Sequence, residues 1–438
     1  MNSIFVEPAQ KSLLGEVLVP GDKSISHRSI IFASLSEDVS KIHGLLEAED
    51  VLCTIDCFRE MGVDIQKQGN IWQVKGVGLK GLRKPSKTLW CGNSGTAMRL
   101  LLGVLAGQAF ETSLTGDASL NRRPMKRVTD PLTQMGAVFS TEGEGTSNRV
   151  LKVRGGNLKG IHYKSPVASA QVKSAILLAA LWAQGETKVE EPVLSRDHSE
   201  RMLEGAGLPL KRGPLWVSLS SAEKLYFPSV FKVPADISSA AFFLVAALLV
   251  PGSRLTLRNI GINPTRSGII DVLRQMGAKL DIQNEQTLMG EKVGDLSIEF
   301  SELKAVPILG DLIPRLIDEI PILGVAAASA QGLTEISEAE ELRVKESDRI
   351  HVLADLLTRI GVQVSEKADG LDIQGQASRS YHGTRVESYG DHRMAMSMAV
   401  AALRADAGME IQNIDCVNTS FPTFWDCLRN LGIICRIP

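Results

Sequence analysis

Residues 19–28 of this 438-residue chain read VPGDKSISHR and gather Lys23, Ser24, Ser26, His27 and Arg28 behind a Pro-Gly turn. An apolar run at residues 30–35 follows directly, so these polar groups belong to a loop and the first turn of a helix. Unpaired backbone N–H groups at a helix start, together with the helix dipole, favour an anion. Two hydroxyls add donors, and Lys23 and Arg28 add full charge, so the stretch is suited to cradle a phosphate or a carboxylate. A helix cap flanked by solvated charges would look the same in this segment alone.

The design recurs along the chain. Asn93, Ser94, Gly95 and Thr96 open a second helical run with small polar residues that allow close backbone approach to a ligand. Residues 121–127, NRRPMKR, supply Arg122, Arg123, Lys126 and Arg127, of which Arg122 and Lys126 read as solvated. Ser165, Ser169 and Gln171 precede another helix, and Arg196, Asp197 and His198 follow it. Asp318 and Glu319 stand in IDEIP; Arg343, Lys345, Glu346, Asp348 and Arg349 stand in RVKESDR, where Asp348 reads as a helix cap or ion-pair partner; Asp391, His392 and Arg393 stand in GDHR. His27 and His392 are expected to hydrogen-bond within their loops.

Opposite charges about 4 Å apart attract by roughly 4 kcal/mol at an effective dielectric near 20, so this many cations imply ligands with at least two anionic groups. Carboxylates among them are placed for proton transfer. Neither GxxxxGK[ST] nor a GxGxxG between strand and helix is present, which leaves a nucleotide or dinucleotide cofactor unsupported. The seven histidines and six cysteines show no metal-ligand spacing and no CxxC pair, so no metal and reduced thiols are expected.

The elements that position these groups are repeated. A loop rich in Gly, Ser, Asp or Pro leads into a helix of small residues six times, and each unit ends near a Gly, at Gly62, Gly136, Gly207, Gly277, Gly361 and Gly432. Those glycines fit the left-handed residue that closes a helix. Their intervals of 74, 71, 70, 84 and 71 residues predict six units of strand, helix, strand, helix and two strands, with an insertion in the fifth. VPGD at 19–22 returns as VPAD at 233–236 and divides the chain into two halves of three units. The first helices are apolar nearly all round and so should be buried on all sides, making closed α/β domains rather than a solenoid. A length of 438 residues and 44% hydrophobic content fit such an architecture, and a net charge of −2 argues against a general nucleic-acid binder. No basic region followed by a long apolar stretch opens the chain, and the longest apolar run, 240–250, is too short to span a bilayer. A cytoplasmic protein with no membrane contact is expected.

GDKSISHR, GNSGTAMR, RRPM, ASAQVKSA, RDHSER, RVKESDR and GDHRMAM, in this order and spacing, resemble the 5-enolpyruvylshikimate-3-phosphate synthase family of the bacterial class II type over nearly the whole chain. The resemblance implies a two-domain inverted α/β barrel of six βαβαββ units. One domain would comprise residues 1–20 with 236–438, including the N-terminal strand, and the other residues 21–235, with a substrate cleft between them. It implies transfer of the enolpyruvyl group of phosphoenolpyruvate to shikimate 3-phosphate by addition and elimination, without metal or organic cofactor, by a monomer that glyphosate inhibits. Carried over by position, Lys23, Ser24 and Arg28 would hold shikimate 3-phosphate, with Lys23 also touching phosphoenolpyruvate. Ser169, Gln171, Arg196 and Lys345 would complete that site, and Gly95, Arg123, Arg349 and Arg393 would take phosphoenolpyruvate. Asp318 would be the base near the target hydroxyl, and Glu346 would exchange a proton with the methylene carbon. Where some relatives have a Lys before a TFP stretch, this chain has Asn418, Thr419, Ser420, Phe421 and Pro422, so no C-terminal cation is assigned. Two other readings are a transferase of the same fold acting on a UDP-amino sugar, whose loop Cys is missing from residues 116–127, and a non-catalytic scaffold for anionic metabolites, which leaves the acids Asp318 and Glu346 unexplained.

Overall fold

The structure is a computed structural model that describes residues 2–143, 149–377 and 380–437. The chain divides into two compact units, one of Met1–Pro20, Pro234–Gln286 and Lys292–Pro438, the other of Gly21–Val233 and Thr287–Glu291. Each has its own apolar core. The boundary lies two residues before the expected 235/236, because Ala235 already bonds to Asn259. Residues 287–291 were expected with 236–438 but group with 21–233. Met289 packs on that unit's core, Gly290 accepts a hydrogen bond from Arg201 at 2.7 Å, and Glu291 meets the buried His198 at 2.8 Å.

In the 21–233 unit three helices, Lys23–Leu35, Gly95–Ala106 and Ala170–Ala180, are buried around most of their circumference, as their small-residue composition requires. The second and third meet so closely that a Cβ on Gly103 would stand 2.3 Å from the Ala175 carbonyl oxygen, so only glycine fits there. The other unit is built likewise on Ile237–Leu249, Ile320–Ala328 and His392–Ala402. Side chains cap five of the six helices at the N-terminus: Asp22, Ser94, Ser169, Asp236 and Asp391. Glu319, which precedes Ile320–Ala328, makes no such cap.

Each helix is tied to a small sheet, and none of the six sheets closes into a barrel of strands among the described residues. Where the pattern is complete, as in Leu89–Trp90, Glu111–Thr115, Val150–Arg154 and Val138–Glu142, the first pair is parallel and the others antiparallel. The fifth repeat departs from the expected four strands. Its sheet has three, Gln331–Ile336, Gly370–Gln376 and Gln363–Lys367, and the first strand is reduced to single bridges at Lys304 and Ile308. In the sixth, the N-terminal strand Ser3–Val6 lies between Met409–Gln412 and Cys435–Arg436. Strands are exchanged at the two chain crossings. Leu14–Val17, which precedes the helix Lys23–Leu35, pairs with Arg254–Gly261, and Val230–Lys232, which precedes Ile237–Leu249, pairs with Val39–His43. All six repeat glycines, from Gly62 to Gly432, have φ between 83° and 113°, the left-handed conformation that ends a helix.

Candidate functional site

In the 21–233 unit Lys23, Gly95 and Ser169 stand at the starts of the three central helices, while Arg123 follows the short helix Ala118–Arg122 and Arg196 precedes His198–Gly205. Asp22 accepts from the Ile25 N–H at 2.8 Å and fixes the first turn, and Lys23 ion-pairs with Asp50 at 2.9 Å. Ser24 is half-buried, and its carbonyl accepts from Arg28. Arg28 is almost wholly buried: its Nε donates to Ser199 at 2.8 Å and its Nη2 to Ser174 at 2.8 Å. These three bonds use three of its five N–H groups. Burial lowers its pKa to about 10, against the pull of Glu200, Asp22 and Glu291.

His27 is fully buried in the helix, with Nδ1 2.7 Å from the Thr54 hydroxyl, so it reaches a second helix rather than its own loop. Burial, with Lys23 and Arg28 beside it, pushes its pKa well below the usual histidine value and keeps it neutral.

The helix start at Gly95 sits beneath two guanidinium groups. A Cβ there would lie 3.2 Å from Arg123 Nη1 and 3.3 Å from Arg99 Nη1. Arg123 donates to Asn93, whose amide donates to Asp117 at 2.6 Å. Arg99 donates to Gln171, and Gln171 donates to the Thr96 hydroxyl at 2.9 Å. Gly95, Arg123 and Gln171 are therefore joined in one cluster, with Arg99 as the link. Ser169 caps its helix through the Val172 N–H. Arg196 lies near enough to Arg28 to disfavour its charge. Arg122 and Lys126 are exposed, as expected.

The other unit gathers the acids. Asp318 has four cations about its carboxylate: Arg349 at 3.4 Å, Lys345 at 3.7 Å, Arg266 at 3.7 Å and Arg393 at 4.0 Å. Arg393 also donates to the Asp318 carbonyl at 2.7 Å. Arg349 is only 1% exposed, and it binds Asp391 at 2.8 Å and Glu346 at 2.7 Å. Burial opposes its charge, but Asp391, Glu346 and Asp318 outweigh that and raise its pKa. The same pair holds Asp391 below the usual carboxylate range in spite of burial. Asp348 caps Arg349–Arg359 through the His351 N–H and pairs with Arg343 at 2.8 Å.

Arg99 and Arg266 escaped the sequence reading. Arg99 was within reach, because it ends the quoted GNSGTAMR one helical turn after Gly95. Arg266 stands alone in GINPTRSG, away from any central-helix start, and no sequence signal marked it. Lys173, inside ASAQVKSA, proves to be a buried structural ion, 2.6 Å from Glu191 and 2.8 Å from Glu200. Among the described residues no three His, Cys, Asp or Glu side chains are grouped to hold a metal ion, and no helix is long and apolar enough to cross a membrane.

Two α/β units, each built on three buried central helices with cations and acids gathered near their starts, make a fold suited to small substrates with several negative charges. The family model for EPSP synthase (3-phosphoshikimate 1-carboxyvinyltransferase) matches residues 8–428, and the chain belongs to that family. It is 50% identical to the 3-phosphoshikimate 1-carboxyvinyltransferase of Geobacter metallireducens over 99% of this chain and 100% of the relative. It is 52% identical to that of Halorhodospira halophila over 96% and 94%. A solved structure of EPSP synthase from Acinetobacter baumannii superposes with a TM-score of 0.90 at 45% identity, covering all of both chains. These full-length matches do not favour the amino-sugar transferase or the non-catalytic scaffold.

Proposed function

We propose that the residues of the two units divide the work of the family's reaction, in which the enolpyruvyl group passes from phosphoenolpyruvate to the 5-hydroxyl of shikimate 3-phosphate and phosphate leaves. Lys23, Ser24, Arg28, Ser169, Gln171, Arg196 and Lys345 take shikimate 3-phosphate. Arg28 does so with the N–H groups not engaged by Ser24, Ser174 and Ser199. Gly95, Arg123, Arg349 and Arg393 take phosphoenolpyruvate, and Lys23 serves both substrates. In the addition step Asp318 removes the proton of the 5-hydroxyl as the hydroxyl oxygen bonds to the phosphate-bearing carbon of phosphoenolpyruvate, while Glu346 delivers a proton to the methylene carbon. In the elimination step Glu346 takes a proton back from the new methyl group, the carbon–oxygen bond to phosphate breaks, and the proton held by Asp318 leaves with the phosphate. The cations neutralise the charge that grows on the leaving phosphate.

The observation that carries this reading is the convergence of four cations on Asp318, with Glu346 bound to one of them, at the start of a helix that no side chain caps. The four stand at 3.4 to 4.0 Å, farther than a charge-assisted hydrogen bond. Single-turnover phosphate release tests it. Asp318→Asn and Glu346→Gln should each lose about 10²- to 10⁴-fold, the usual worth of a positioned proton-transfer group. Glu346→Gln should in addition slow solvent deuterium entry into the phosphoenolpyruvate methylene group. Rates within about threefold of the parent in both variants would refute the assignment. The same reading makes the protein a cytoplasmic monomer, inhibited by glyphosate in competition with phosphoenolpyruvate.

A further inference from the structure

Arg266 has no place in the assignment above, yet its guanidinium reaches the same carboxylate. Its side chain is 4% exposed, against 31% for Lys345. The loop that carries it is ordered by its own bonds. The Asn263 side chain accepts from the Thr265 N–H and hydroxyl, both at 2.9 Å, and the Asn263 carbonyl accepts from the Arg266 N–H at 2.8 Å. From this base Nη2 donates to Ser238 at 2.6 Å and stands 3.6 Å from Asp236, the cap of Ile237–Leu249, while Nη1 stands 3.7 Å from Asp318. The Ser238 hydroxyl passes the contact on by donating to Glu319, which is fully buried beside Asp318. One planar group thus ties the start of one central helix to the uncapped start of the next.

We propose that Arg266 is a positioning residue of the transfer reaction, its fork held by Asp236 and Ser238 so that the Asp318 carboxylate is fixed toward the hydroxyl that receives the enolpyruvyl group. The inference rests on the role given to Asp318. A lysine keeps the charge but not the two-armed geometry. The carboxylate is held by a direct contact and, through Ser238 and Glu319, by the backbone beside it. Losing either should cost rate rather than substrate affinity, because the buried guanidinium is engaged with protein groups.

Arg266→Gln should lower kcat about 10- to 100-fold, a part of the 10²–10⁴ that a positioned proton-transfer group supplies. KM for both substrates should move by less than about threefold. Arg266→Lys should recover part of the rate, and Ser238→Ala, which removes only the hydroxyl under the fork, should show a smaller loss of the same kind. In the Asp318→Asn background, Arg266→Gln should add almost nothing, since the carboxylate it orients is gone. Independent multiplying losses in the double variant, a loss carried by KM, or an unchanged kcat would overturn the inference. Should Arg266→Gln fail to fold, the Lys and Ser238→Ala variants carry the same comparison. An active Asp318→Asn enzyme would instead overturn the base assignment, so the two failures are told apart.

Discussion

Gly95 and Gly103 lie on one face-to-face helix, and the same substitution at each should have opposite consequences. In Gly95→Ala the new methyl would meet Arg123 Nη1 at 3.2 Å and Arg99 Nη1 at 3.3 Å, a few tenths of an ångström inside ordinary contact. Both are the far ends of flexible side chains, so the helix need not move. Alanine at a helix start also restricts the unfolded chain, and melting temperature should stay level or rise slightly. Arg123 is proposed to take phosphoenolpyruvate, and Arg99 holds Gln171, which is proposed to take shikimate 3-phosphate, so the cost should fall on ligands. Overpacking of about 1 to 3 kcal/mol corresponds to roughly a five- to hundredfold loss of affinity. It should be larger for glyphosate, the longer molecule, than for phosphoenolpyruvate.

In Gly103→Ala the methyl would lie 2.3 Å from the Ala175 carbonyl oxygen and 2.8 Å from its Cα, backbone atoms that cannot turn aside. The two helices must separate, at about 1 to 3 kcal/mol, and for a unit of this size that is a fall of roughly 2 to 12 °C in Tm. Calorimetry of both variants, with glyphosate Ki and phosphoenolpyruvate KM, decides the matter. A destabilised Gly95→Ala with unchanged constants, or equal changes in Ki and KM, would refute the placement of Gly95 beside the ligand.

Lys173→Met should be among the most damaging changes outside the candidate site. It leaves Glu191 and Glu200 buried without their shared cation, and breaking such a pair costs about 3 to 5 kcal/mol, to be read from urea unfolding. Burial already raises the Glu200 pKa despite Lys173. His27 sets an acid limit on stability. The unfolded chain binds a proton near pH 6.5 that the folded helix refuses, so stability is complete above about pH 6.5 and falls below it by up to about 1.4 kcal/mol per pH unit. His27→Gln should flatten that fall between about pH 6.5 and 5, and an unchanged slope would show that His27 accepts the proton in place.

Much of the fold was legible because each repeat carries its own punctuation. The glycine that ends the second helix and the small residues of the first are demanded by local geometry and close packing, and both are written in residue type. The candidate residues at helix starts were legible for the same reason, since motif and position coincide. Arg266 was not, because its partners Asp236, Ser238 and Asp318 are brought to it only by folding. Lys173 shares a motif with Ser169 and Gln171, but helix phase turns it inward to Glu191 and Glu200. The return of residues 287–291 to the 21–233 unit depends on contacts made only by folding, Met289 on that unit's core, Gly290 with Arg201 and Glu291 with His198, and leaves no periodic trace.

The exchanged strands bear on the order in which the chain can be completed during synthesis. Residues 21–233 form one uninterrupted stretch that includes the strand Val230–Lys232, so every sheet of that unit can be paired soon after half the chain has emerged. The first twenty residues have the opposite fate. Leu14–Val17 waits for Arg254–Gly261, and Leu13 finds its partner Ser253 across 240 positions. Ser3–Val6 waits longer still, for Met409–Gln412 and then Cys435–Arg436 at the end of the chain. Contacts this distant are slow to form. Of the strands in these two units, Ser3–Val6 is made before the others and enclosed after them, and it closes a sheet in the unit that holds Asp318, Glu346 and Arg266.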